Sequence, residues 1–135
     1  MRYTPFDTEI AMLENMTAAE RMEYATTRMI ECEEVWSLGD ESGWSIRDAY
    51  GKQIIPIWPY QQCALDYHAG EPGSLVPHAT SLENFVYEVL EQCKEGEIFL
   101  EVFPLTHSEG LIMPAADLFE ILNGMLETNE YFIEG

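Results

Sequence analysis

A chain of 135 residues with 25 Asp and Glu against 6 Lys and Arg carries a formal charge of -19, so it has room for about one domain and repels other anions. Nucleic acid and anionic membrane surfaces are not expected as partners, because both are held through clustered cations. A hydrophobic fraction of 47% is enough for one core and argues against disorder.

The charge is uneven. Arg2, Arg21, Arg28, Arg47 and Lys52 all fall before residue 54, and beyond that point Lys94 alone faces 14 acidic residues. One reading is a solvated negative surface; the other is a docking face for a basic partner. The first ten residues hold an Arg and an early Asp7 but no apolar run, unlike a secretory leader. No segment approaches the ~20 apolar residues that span a bilayer. Cys32, Cys63 and Cys93 form no Cys-x-x-Cys pair, so neither a zinc site nor a disulfide framework is indicated. A reducing cytoplasm is the expected compartment.

No repeat or long linker divides the chain, and residues 1–135 read as a single domain. Within it, 1–16 form an N-terminal extension and 127–135 a loose acidic tail. Phe6, Ile10 and Leu13 share helical spacing and predict a short helix over 7–15, with Asp7 as its cap. Thr17 and Glu20 have the spacing of a capping box, and Ala18, Met22, Ala25 and Met29 recur on one face behind it.

The periodicity changes at Glu34. Val35–Leu38 and Trp44–Ile46 flank a turn at 39–43 and predict a hairpin. Tyr50-Gly51-Lys52 is a further turn, and Ile54–Trp58 a third strand. Pro56, which cannot donate to a ladder, favours an edge or a bulge there. A helix is predicted around Tyr60–His68, then an extended piece at Leu75–His78. Thr80 and Glu83 suggest a second capping box, ahead of an amphipathic helix with Leu82, Phe85, Val86, Val89, Leu90 and Cys93 inward. Glu88, Glu91 and Glu95 fall outward. Ile98–Phe103 is almost wholly apolar and predicts a central strand. Leu111–Met113 should pair back, and Pro114 suits the first turn of a last helix. The order α-α-β-β-β-α-α-β-β-α gives an α+β fold, a mainly antiparallel sheet of about five strands packed with helices.

Chemistry is harder to find. There is no Gly-x-Gly-x-x-Gly, P-loop, Gly-x-Ser-x-Gly or His-Glu-x-x-His pattern. His68, His78 and His107 lie apart without ligand spacing, so no metal and no cofactor is expected. Cys63 has His68 five residues on, off its helix face, and the three cysteines read as small core residues. Trp36, Trp44 and Trp58 lie on three consecutive predicted strands, with Tyr60 just after. They form either a core cluster or, next to Asp40, Glu41 and Asp48, an aromatic anchor ringed by acids that suits a cationic partner.

The runs Val35-Trp36-Ser37-Leu38, Gly43-Trp44 and Ile55-Pro56-Ile57-Trp58-Pro59 with Ala64 resemble the bacterial family called domain of unknown function 2750. Ser81-Leu82-Glu83-Asn84-Phe85, Val102-Phe103-Pro104 and Met113-Pro114 are similar too. The resemblance covers about residues 17 to 126. It implies a small α+β protein of the bacterial cytoplasm without an assigned activity, and supplies no catalytic residues.

Three readings of function follow. The first is a non-enzymatic module that binds a basic protein, for example an inhibitor or immunity-type protein, with Asp40, Glu41, Trp44 and Trp58 as its contact region. The second is an enzyme assembled from scattered groups, with Cys63, Asp66, His68 and His78 as first suspects. The third is a self-associating adaptor that pairs through the strand Ile54–Trp58.

Overall fold

The computed structural model describes residues 7–40, 43–68, 75–105 and 108–128. Thr17 fixes the entry into the longest helix among the described residues. Its Oγ1 accepts the Glu20 N–H at 3.1 Å while the Glu20 carboxylate accepts the Thr17 N–H at 2.8 Å, so two otherwise orphaned amides are satisfied reciprocally. A short α1 (Asp7–Glu14) precedes this cap and α2 (Ala18–Cys32) follows it. Ala25 and Met29 are fully buried, as their spacing predicts, and Ile30, Thr26 and Arg21 join them. Glu33 adopts a left-handed φ of 55° and turns the chain directly into β1 (Glu34–Asp40).

Six further strands follow: β2 (Gly43–Trp44), β3 (Arg47–Ala49), β4 (Lys52–Ile57), β5 (Val76–Ser81), β6 (Ile98–Val102) and β7 (Leu111–Pro114). They form two sheets, ordered β2-β1-β5 and β3-β4-β6-β7. Every pairing is antiparallel except β4 with β6. The class is α+β and mainly antiparallel, but the described strands number seven where about five were predicted.

The additions have plain causes. Arg47-Asp48-Ala49 is too short and too polar to show alternation, and it becomes a strand through its turn. Tyr50 and Gly51 both have positive φ, 56° and 72°, the geometry whose twist matches a two-residue hairpin. The predicted hairpin of Val35–Leu38 with Trp44–Ile46 is shorter than expected: Gly39 stands opposite Trp44 and Asp40 opposite Gly43, and the Ser45 N–H donates to the Leu38 carbonyl at 2.9 Å. Ile46 lies outside it and is exposed. The piece at Leu75–His78 extends to Ser81 because it pairs with β1 along six residues.

Ile54–Trp58 is not an edge. β4 is flanked by β3 and β6, and Ile54, Ile55, Ile57 and Trp58 are all buried. Pro56 is tolerated because the β3 ladder stops at Ile54, and its carbonyl accepts the Ser37 hydroxyl at 2.5 Å.

α3 (Gln61–His68) links the sheets. After β5 comes a helical stretch of three parts, α4 (Leu82–Asn84), a π-helical turn (Phe85–Val89) and α5 (Leu90–Glu95). Its cap is one residue later than the Thr80–Glu83 pattern suggests: the Ser81 hydroxyl accepts the Asn84 N–H at 3.1 Å, and the Asn84 amide donates to Thr80 Oγ1. Leu82, Phe85, Val86, Leu90 and Cys93 are buried and Glu88, Glu91 and Glu95 exposed, as predicted. The last helix, α6 (Ala115–Thr128), buries Leu118, Leu122 and Leu126.

The register divides the larger sheet into two faces. Ile55, Ile57, Leu100, Val102 and Met113 lie on the face packed against α2, α5 and α6 and form the core. Arg47, Ile54, Phe99, Glu101, Ile112 and Pro114 share the opposite face.

Candidate functional site

Gly39 is where β1 and β2 come closest. A Cβ on it would stand 2.3 Å from the Gly43 carbonyl oxygen, so only glycine allows the approach. Its register partners are Trp44 on one side and Val76 on the other, which places all three in one row on one face. Trp44 is half-buried, with its indole N–H donating to the His78 carbonyl at 3.1 Å and its ring 5.9 Å from Phe85. Val76 is exposed, as is Asp40 at the tip of β1. Asp48 is exposed on β3. Glu41 and His107 lie outside the described residues. At this corner Trp44 and Val76 lie on one face of the sheet, while Asp40, the next residue along β1 and opposite Gly43, belongs to the other.

Trp58 does not belong to this surface. It is 0% exposed, its indole donates to the Pro104 carbonyl at 2.8 Å, and its ring lies 5.1 Å from Tyr67. Trp36 is buried too, its indole donating to Glu34 at 3.0 Å. The core reading holds for these two tryptophans, while Trp44 is the one that keeps an open side.

The suspects for an assembled enzyme site are placed as follows. Cys63 is buried, the Asp66 carboxylate is exposed and accepts from Gln62 at 2.8 Å, and His78 is half-buried on β5. The side chain of His68 is outside the described set. Cys93 is buried as well, as expected of a small core residue, whereas Cys32 is only half-buried at the edge of the core. Among the described residues no group of three or more His, Cys, Asp or Glu could hold a metal ion, and no helix is long and apolar enough to cross a membrane.

What sequence reasoning missed is the use of the arginines. Arg21 is 1% exposed, and its guanidinium donates to the carbonyls of Phe103 (3.2 Å), Met16 (2.8 Å) and Glu109 (2.6 Å) and to the Ser108 hydroxyl (3.0 Å). Burial lowers its pKa. Arg28 donates to the Tyr60 hydroxyl, which lies 2.9 Å from that of Tyr24, and also to Glu31 at 3.3 Å. Arg47 donates to the buried Glu101 carboxylate, which also accepts the Gly110 N–H at 2.9 Å. A lone Arg inside the apolar stripe of α2 and a lone Glu inside an apolar strand were the available signals.

The acids behave oppositely. Among residues whose side chains are described, every Asp and Glu except Glu34 and Glu101 is exposed. The described arginines are thus drawn inward or into local pairs, while nearly all the carboxylates face solvent. The exterior is even more acidic than the composition states.

The family model described as Protein of unknown function (DUF2750) matches residues 22–122. The chain belongs to this family. The matched stretch begins one residue after Arg21 and ends within α6, so it takes in both sheets and the Asp40–Trp44 corner. No curated protein matches the chain.

Proposed function

We propose that this chain is a non-enzymatic binding module that captures a basic protein, in the manner of an inhibitor or immunity-type protein. The observation that carries the reading is the segregation of charge: Arg21, Arg28 and Arg47 are committed to named acceptors while the carboxylates point outward. A field of this kind steers a cationic partner and speeds its encounter. At the β1–β2 corner Trp44 and Val76 offer such a partner an aromatic and an aliphatic contact on one face, with the exposed Asp40 at the strand end turned to the other.

The test is a photo-crosslinking amino acid at position 44, with position 120 on α6 as the control, in a lysate of the source cells. A basic protein should be captured from position 44, with yield falling in about 1 M salt, where the screening length is about 3 Å, and in Asp40→Lys. Equal capture from both positions, an acidic partner, or indifference to salt would overturn the proposal.

A further inference from the structure

The two lysines among the described residues are used differently from the arginines. Neither Lys52 nor Lys94 forms an ion pair there, yet both line the same open groove of about 570 Å³. That volume is within the ~300–1,000 Å³ of small-molecule sites. One wall is the β3–β4 turn with Gly51 and Lys52; the opposite wall is the end of α5 and the turn after it, with Lys94, Gly96 and Glu97. Phe99 supplies a half-buried aromatic floor, and the Lys52 ammonium stands 5.4 Å from its ring centroid. Pro114 and the first residues of α6 close the end.

The charge of this groove runs against that of the molecule. Its lining holds two lysines, Lys52 on the β3–β4 turn and Lys94 near the end of α5, against one acid, Glu97. On a body of net charge -19 exposed acids are abundant, yet neither lysine is held in an ion pair among the described residues. Gly51 and Gly96 keep side-chain bulk off the two rims, so a ligand can approach the backbone as well as the ammonium groups. The repulsion of the whole surface disfavours long polyanions, and leaves a compact anion that reaches both lysines at once as the matching occupant.

We infer that the Lys52–Lys94 groove binds a small dianion, a phosphate monoester or a dicarboxylate, whose flat or apolar part rests on Phe99. This site is separate from the Asp40–Trp44 corner, and its success or failure does not depend on the basic partner. Proton–nitrogen NMR titrations with inorganic phosphate, phenyl phosphate and phthalate, with benzoate as the monoanion control, test it. Saturable shifts should be confined to residues 51–53, 94–99 and 114–116, with the best dianion binding about tenfold tighter than benzoate. Saturation by phenyl phosphate alone would assign a phosphate ester, and by phthalate alone a dicarboxylate. Lys52→Gln and Lys94→Gln should each weaken binding about tenfold, and spectra unchanged elsewhere will show that both variants fold. Shifts that never saturate with any dianion, or equal affinity in the wild type and both variants, would overturn the inference.

Discussion

Trp36 and Trp58 exchange both of their backbone hydrogen bonds, N–H to C=O at 2.8 Å in each direction. This antiparallel bridge joins the two sheets just past the end of β4, beyond the point where the β3 ladder has stopped. Ser37 reinforces it by donating to the Pro56 carbonyl. The indole of Trp58 then seals the joint from the other side through Pro104.

Trp58→Ala should therefore cost about 3–5 kcal/mol, the range for deleting a buried aromatic, and it also strands the Pro104 carbonyl. Trp44→Ala removes a half-buried ring and should cost about 1–2 kcal/mol. Equilibrium urea unfolding of the two variants checks the ranking. Similar losses would mean that Trp58 does not close the joint described here.

Much of the fold was legible because local signals agreed with it. Thr17 and Glu20 announced α2, the stripe from Leu82 to Cys93 announced the fourth helical stretch, and the apolar run at Ile98 announced the central strand. The two-sheet arrangement was not legible, because it rests on a pairing between residues 36 and 58 and on a short polar strand at Arg47. Pro56 misled for a related reason: whether a proline edge is free depends on where the neighbouring strand stops. For the candidate site, acid at Asp40 and aromatic character at Trp44 were readable, while the burial of Trp58 was a tertiary outcome. The inward use of Arg21 and the gathering of Lys52 with Lys94 are relations between distant segments that no spacing encodes.

Arg21 fastens the chain after β6 to the start of α2 without any carboxylate in its hydrogen-bond set. Replacing it by Met leaves three carbonyls short of a donor, that of Phe103 in a buried place and those of Met16 and Glu109 in part-buried ones. The expected loss is about 2–4 kcal/mol. Arg21→Lys should recover less than half of it, since one ammonium cannot reproduce a planar fork aimed at several oxygens. Hydrogen exchange at Ser108–Gly110 should quicken more than exchange in the core helices. Full recovery in the lysine variant would show that charge alone, and not geometry, matters at this position.

Glu101 is a carboxylate held in the middle of a sheet by two donors, Arg47 and the Gly110 amide. Removing Arg47 leaves that charge with the amide alone, at a cost of about 3 kcal/mol. Glu101→Gln keeps an acceptor for Gly110 and should cost about 1–2 kcal/mol. A double-mutant cycle over the two positions should give a coupling of about 1–3 kcal/mol. Strict additivity would reduce the pair to a surface contact.

Burial pushes the Cys93 thiol from its ordinary 9.0 to about 11. The sign of the consequence follows from proton counting. Between pH 9 and 11 the unfolded chain releases a proton that the folded chain keeps, so stability is intact below this window and falls as pH rises through it. Other groups titrate there too, which makes the difference between the wild type and Cys93→Ala the informative quantity. Under reducing conditions, the wild type's stability advantage over Cys93→Ala should shrink between about pH 8 and about pH 10.5. Cys93 should also react with a thiol reagent more slowly than half-buried Cys32, because attack needs an accessible thiolate. If the stability difference stays constant with pH, the thiol is not held protonated by the fold.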